Sequence, residues 1–273
     1  MKRTAFIAII GRPNVGKSTL LNAILGQKVA IVSKKPQTTR NRITGIHTVG
    51  EDQFVFMDTP GVHKARTRLG DYMVKTATDT LSGVDAAILV TEARETVGDI
   101  EEGLIEKIRA AQLPTVLVVN KTDAVHPENI ARTIAAYAAA YPFAAVVPTS
   151  AKNGRGVDTV LDECRPFLNE SEWFFDEDAV TDQTERQLAA EIIQEKMLRL
   201  MDEEIPHGTA VAVEEWKEKE GMVSIRAEIY CEKASHKGMI IGKGGANIKK
   251  IGTYAREDIE KLLDTKVFLD LYV

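Results

Sequence analysis

Gly11-Arg12-Pro13-Asn14-Val15-Gly16-Lys17-Ser18 is the stretch that decides how this chain is read. It fits the spacing G-x-x-x-x-G-K-[ST]. A short apolar run, residues 6–10, leads into it, and a helical pattern opens behind it. In that setting, glycines let backbone N–H groups curl around phosphate oxygens at a helix N-terminus. Lys17 is placed to reach the terminal phosphates of a nucleotide, and the Ser18 hydroxyl to bind Mg²⁺. Arg12, Pro13, Asn14, Val15 and Thr19 complete the candidate cradle with Gly11 and Gly16.

Further apolar runs lie at 54–57, 86–90, 115–119 and 144–147, with amphipathic segments at 69–82, 100–111, 129–140 and 157–167 between and after them. Near-continuous apolar runs suit parallel strands buried on both faces. Strands alternating with helices predict an α/β fold, a doubly wound and mostly parallel sheet. Ligands then sit beyond the carboxyl ends of the strands. Asp58-Thr59-Pro60-Gly61 stands at one such end, followed by Val62. Asp58 is a candidate Mg²⁺ partner through water. Gly61, lacking a Cβ, is a candidate donor of its N–H to a γ-phosphate. At the next informative end stands Asn120-Lys121-Thr122-Asp123. A carboxylate at Asp123 accepts from the ring N–H and the exocyclic amine of guanine, whereas adenine leaves it unpaired. Asn120 is read as a second base contact and the Lys121 stem as a cover for the ring. Ser150-Ala151-Lys152 is read as a source of backbone N–H groups for the guanine oxygen.

The chain has 273 residues, 44% hydrophobic and 27% charged, which excludes wholesale disorder, collagen and coiled coil. Net charge is −5 and the pI is near 5.7, which argues against nucleic-acid binding by the whole surface but leaves room for a local basic patch. The basic-then-apolar start resembles a signal peptide only as far as Gly11, where the apolar run stops. No apolar run approaches the ~18–20 residues of a membrane span. Cys164 and Cys231 provide no metal-ligand spacing and no disulfide framework, in keeping with a reducing compartment.

The composition shifts near residue 169. Residues 169–181 are acidic and polar around Trp173, Phe174 and Phe175, and read as a linker with an aromatic anchor. The expected domains are therefore 1–168, the linker 169–181, and 182–273. The last part reads as a helix over 184–204, strands over 211–216 and 223–230, helices over 236–241 and 246–263, and a strand over 266–273. Between its two closing helices stands Ile240-Ile241-Gly242-Lys243-Gly244-Gly245-Ala246-Asn247-Ile248. A Gly-x-x-Gly loop between helices lets a nucleic-acid backbone approach closely. Residues 235–261 carry six Lys or Arg against three acids. Lys237, Lys243, Lys249 and Lys250 supply charge. Ile240, Ile241, Ile248 and Ile251 are expected to wall a groove for unstacked bases.

The motifs of residues 4–168, in this order, resemble the translation-factor-like P-loop GTPases. The α-β-β-α-α-β order with its glycine loop resembles the type II KH fold, a smaller α+β domain. Together, with the strings GRPNVGKSTLLN, PQTTRNRITGI, DTPG and AAEIIQEKMLRL, they resemble the Era family of bacterial ribosome-assembly GTPases. The resemblance implies GTP and GDP as ligands and Mg²⁺ as cofactor. It implies a switch threonine on the Mg²⁺, Thr39 with Thr38 as the alternative, so that Lys17, Thr39, Asp58 and Gly61 carry the hydrolysis. It implies small-subunit rRNA near its 3′ end and the small ribosomal subunit as partners, with no role for DNA. It further implies a cytoplasmic protein with peripheral membrane association, and a short tail beyond the last strand, where this chain ends at Val273. Asn14 resembles a P-loop asparagine that coordinates K⁺ as a hydrolysis activator. Val62 departs from the water-orienting Gln of Ras-like enzymes, which implies slow intrinsic hydrolysis.

Overall fold

A computed structural model describes residues 1–32, 42–62, 75–201 and 208–273. Thr38 and Thr39, and residues 69–74 of the expected helix 69–82, lie outside the described residues. The described residues form two compact units, one from 1–30 and the described part of 39–182, the other from 31–32 and the described part of 183–273.

In the first unit the strands are β1 (Arg3–Gly11), β2 (Ile43–Val49), β3 (Asp52–Asp58), β4 (Ala86–Glu92), β5 (Thr115–Asn120) and β6 (Ala145–Pro148). They lie in the order β2-β3-β1-β4-β5-β6. All neighbours pair parallel except β2, which runs antiparallel to β3. Helices α1 (Lys17–Leu25), α2 (residues 75–80 as described), α3 (Asp99–Ala110), α4 (Pro127–Ala140) and α5 (Val157–Cys164) alternate with the strands. The apolar runs are continuous because both faces are covered. Along β1, Ala5, Ile7 and Ile9 face one core, with Leu20, Leu21, Phe54, Phe56 and Val160. Ala8 and Ile10 face the other, with Leu89, Leu104, Ile108 and Tyr137. Burying each large apolar side chain stabilises by about 1.5–3 kcal/mol.

The strand β2 is not among the expected runs. Its sequence, ITGIHTV, mixes apolar and polar residues because it is an edge, and it returns to β3 through a turn at Gly50 (φ +62°).

Residues 169–181 are held on the first unit. A two-residue strand, β7 (Asn169–Glu170), pairs antiparallel with β1. The Phe174 ring meets Phe6 edge-on, with centroids 4.9 Å apart. Buried Gln53 accepts from the backbone N–H groups of Phe174 and Phe175, at 3.0 and 3.1 Å. The Thr181 hydroxyl donates to the Thr44 carbonyl at 2.7 Å.

The second unit contains α6 (Glu185–Leu200), β8 (Thr209–Lys219), β9 (Met222–Cys231), α7 (Ala234–Ile241), α8 (Ala246–Leu263) and β10 (Lys266–Tyr272). A capping box opens α6: Thr184 accepts from the Gln187 N–H while the Gln187 side chain accepts from the Thr184 N–H. The helix ends at Leu200, short of residue 204, because Met201 turns extended. The sheet order is β10-β9-β8, with β10 parallel and β8 antiparallel to β9. Along β9, Val223, Ile225, Ala227 and Ile229 are buried against α6 and α8 residues such as Ile193, Met197 and Ala255, while the residues between them are not.

Candidate functional site

The loop between β1 and α1 is closed by backbone conformations that few side chains tolerate. Gly16, the N-cap of α1, has φ +102°, and a Cβ there would come within 2.2 Å of the Asn120 amide. Gly11 lies so near β4 that a Cβ would meet the Val90 carbonyl at 2.3 Å. Asn14 also sits left-handed, at φ 64°.

Inside the loop, the Lys17 ammonium donates to the carbonyls of Gly11 at 3.2 Å and Arg12 at 2.9 Å. Burial pushes Lys17 down to about 8, although the Asp58 charge pulls the other way. Asp58 is fully buried, and burial pushes its carboxyl up to about 6 against the opposing pulls of Lys17 and Ser18. Ser18 Oγ donates to Asp58 Oδ2 at 2.5 Å. Asp58 Oδ1 is buried without a hydrogen-bond partner among the described residues. A hydroxyl and a carboxylate side by side, with an unsatisfied hard oxygen, form a donor set suited to Mg²⁺. Gly61 approaches the loop where a Cβ would meet the Pro13 backbone at 2.6 Å.

At this turn the structure shows where two of the expected residues direct their side chains. Thr59 is fully buried, and its hydroxyl donates to the Ile9 carbonyl at 2.9 Å, so it braces the turn against β1. Val62 packs into the core beside Ala8 and Ile10, and its N–H donates to the Gly11 carbonyl at 3.1 Å. Its apolar side chain is drawn inward rather than toward a ligand. Arg12 likewise directs its guanidinium to Glu101 of α3, while its carbonyl accepts from Lys17.

Beyond β5, Asn120 is a brace. Its amide donates to the Val15 carbonyl at 2.9 Å, and its Oδ1 accepts from the Thr149 hydroxyl and the Ala151 N–H. Lys121, left-handed at φ 63°, spans back to the phosphate loop, donating to the Asn14 carbonyl at 2.6 Å and pairing with Glu92. The Thr122 hydroxyl donates to the Thr149 carbonyl at 2.8 Å. Asp123 is exposed, and the Ser150 hydroxyl, donating at 2.7 Å, holds its carboxyl below the usual range. The Ser150 and Ala151 N–H groups are bonded to Arg155 and Asn120, so this loop serves mainly to hold Asp123 and Asn120. Thr149, Glu92 and Glu101 do not belong to the expected set. Their partners lie far away in sequence, so no local spacing marks them.

In the second unit, the loop from α7 to α8 has Gly242, Gly244 and Gly245 all at positive φ: 74°, 60° and 78°. A Cβ on Gly242 would collide with Asn247 at 2.8–2.9 Å, whereas one on Gly244 meets open space. Asn247 closes the loop by donating to the Met239 carbonyl at 2.8 Å. Lys237, Lys243, Lys249 and Lys250 are exposed, and Ile241 and Ile248 half-buried. Ile240 and Ile251 are corrections to the expected groove wall: both are fully buried in the core with Ile193 and Ile225. Both lie on the helix faces that seal the sheet.

The sequence matches the model of a family described as 50S ribosome-binding GTPase over residues 6–121, and that of the KH domain over residues 204–272. It is 51% identical over 273 residues to GTPase Era of Geobacter metallireducens, covering 99% of this chain and 92% of that protein. It is 47% identical over 272 residues to GTPase Era of Ruminiclostridium cellulolyticum, covering 99% and 91%. The fold superposes with a TM-score of 0.95 on Era in complex with MgGDPNP and nucleotides 1506–1542 of 16S ribosomal RNA, at 36% identity, covering 100% of this chain and 93% of that one. It superposes equally well, at 0.95, on an Aquifex aeolicus Era variant bound to GDP and AlF4⁻, at 37% identity over 99% of this chain and 93% of that one. Since the sequence match and the fold match both run the length of the chain, it belongs to the GTPase Era family.

Proposed function

We propose that the chain is a Mg²⁺-dependent GTPase switch whose KH unit binds small-subunit rRNA near its 3′ end and assists small-subunit assembly. One observation carries this reading. The relative that holds MgGDPNP together with nucleotides 1506–1542 of 16S rRNA matches along the whole of this chain, through both the phosphate loop and the glycine loop. Residues 1–168 serve as the nucleotide module, 182–273 as the RNA module, and 169–181 as the linker.

The loop from Gly11 to Thr19 cradles the phosphates, and Asp123 selects guanine. Ser18, Asp58 through water, and Thr39 (Thr38 as the alternative) hold Mg²⁺, which neutralises charge on the β- and γ-phosphates when bound. Lys17, held on the carbonyls of Gly11 and Arg12, gives its remaining proton to the phosphate oxygens, and Pro60 and Gly61 bring a backbone N–H to the γ-phosphate. Val62 orients no water, so hydrolysis is slow until a partner, or K⁺ at Asn14, supplies the missing charge. Lys237, Lys243, Lys249 and Lys250 meet the RNA backbone at the glycine loop, with Ile241 and Ile248 beside the bases. A cytoplasmic location and peripheral attachment to the inner face of the cell membrane complete the proposal. No described helix is long and apolar enough to cross a membrane.

The test is the affinity for a single-stranded RNA of the small-subunit 3′ end, with GDP and with a non-hydrolysable GTP analogue. Tighter binding with the analogue supports the switch. Equal binding in both states leaves a constitutive RNA binder whose nucleotide unit is a scaffold. Exchange of K⁺ for Na⁺ in the hydrolysis assay tests the role of Asn14, and co-sedimentation with lipid vesicles tests the membrane attachment.

A further inference from the structure

Glu101 lies in the first turn of α3 and is 1% exposed. A glutamate is almost never this buried unless it is paired. Its partner is the guanidinium of Arg12, the residue that follows Gly11 in the phosphate loop. The place is built to receive it. Gly98, the N-cap of α3, lies so close that a Cβ would come within 2.9 Å of Glu101 Oε2. Tyr137, fully buried in the same core and hydrogen-bonded to Thr91, has a phenol that feels the charges of both Glu101 and Arg12. The Arg12 carbonyl, in turn, accepts from Lys17 at 2.9 Å. A shift of Arg12 therefore moves an atom bonded directly to the lysine that serves the phosphates. A buried ion pair contributes little net stability compared with apolar packing, so stability alone does not explain why a charge is buried at this point.

We propose that Glu101 is a positioning residue for GTP hydrolysis, which fixes Arg12 and through it the first turn of the phosphate loop and Lys17. The role rests on the GTPase reading above. Glu101 touches neither nucleotide nor metal, and its effect falls on kcat, because small misplacements of catalytic groups cost rate more than binding.

The experiment measures steady-state GTP hydrolysis and fluorescent GDP affinity on the full chain. The variants are Glu101→Gln, Arg12→Gln, the double variant, and Glu102→Gln. The last removes a carboxylate from the same helical turn without touching Arg12. Each of the first two is expected to lower kcat about tenfold, with KM and GDP affinity changed by less than about threefold. The double variant falls no further than the worse single one, because the pair acts as a unit. Glu102→Gln keeps the native kcat. Additive losses, an equal loss in Glu102→Gln, or unchanged kcat in Glu101→Gln overturns the role. Should Glu101→Gln fail to fold, Glu101→Asp keeps the charge on a shorter stem and is expected to show an intermediate kcat; a native kcat there overturns the role. A native chain that hydrolyses no GTP removes the activity and this role together, whereas an active native chain with unaffected variants removes the role alone.

Discussion

At Asp123 one exposed carboxylate, steadied by the Ser150 hydroxyl, is the group proposed to discriminate guanine from other bases. Hydrogen bonds to a charged group are worth about 1.5–3 kcal/mol each. Asp123→Asn is expected to weaken GTP binding by about 100-fold and to shift preference toward xanthosine nucleotides, whose exocyclic C2 carbonyl oxygen matches an amide donor. Competition between GTP and XTP for a fluorescent nucleotide measures this, and an unchanged GTP preference removes Asp123 from the base site. Val62 makes the opposite kind of case. Its side chain is 8% exposed and packed among core residues, so Val62→Gln buries an amide rather than creating a water-orienting group. Hydrolysis is expected to stay slow while the melting temperature falls. A rise in kcat to the level of a Gln-bearing enzyme contradicts this packing. The candidates Lys17 and Ser18 were legible from spacing, because their motif is local, and Asp58 from its place at a strand end following that motif. The inward turn of Thr59 and Val62 was not, because it depends on where β1 lies beside β3.

Among the elements, the pair α7 and α8 separates shape from contact. Ile240 is fully buried in the core, whereas Lys243 is exposed on the loop. Ile240→Ala is expected to destabilise the KH unit by about 2–5 kcal/mol, seen as an earlier unfolding transition. Lys243→Ala leaves that transition in place. It weakens RNA binding and reduces the slope of log affinity against log salt by about 1. If the two substitutions exchange these effects, the assignment of inner and outer faces is wrong. Apolar character beside the glycine loop put Ile240 and Ile251, with Ile241 and Ile248, on the expected groove wall. It did not tell which side of the helix the sheet covers, and so put Ile240 and Ile251 on the wrong face. β2 escaped notice for a related reason: as an edge strand it lacks the continuous apolar run that marked its neighbours.

At the scale of the whole molecule, any coupling between the proposed nucleotide and RNA sites must be reciprocal. If a GTP analogue tightens RNA binding by some factor, RNA must tighten the analogue by the same factor. Titrations in both directions check this, and unequal factors mean that binding was not at equilibrium or that a further species takes part. Lys17→Ala is expected to abolish nucleotide binding and with it the nucleotide dependence of RNA affinity, while basal RNA affinity persists. Loss of all RNA binding in that variant points instead to a damaged fold. The net charge of −5 says little about RNA, since Lys237, Lys243, Lys249 and Lys250 gather beside one loop.

Sequence by itself determined what is local or periodic. Glycines at fixed spacing marked the two loops, apolar runs marked the parallel strands, and the change in element order near residue 169 marked two unlike halves. These signals survive without a fold because each rests on backbone freedom or side-chain period within a few residues. Tertiary structure alone decided the rest. It made Asn120 a brace between Val15, Thr149 and Ala151, fastened residues 169–181 along the first unit, and joined Glu101 to Arg12. Each of these joins groups far apart in the chain, and a buried polar atom takes its partner from whatever the packed elements bring within reach.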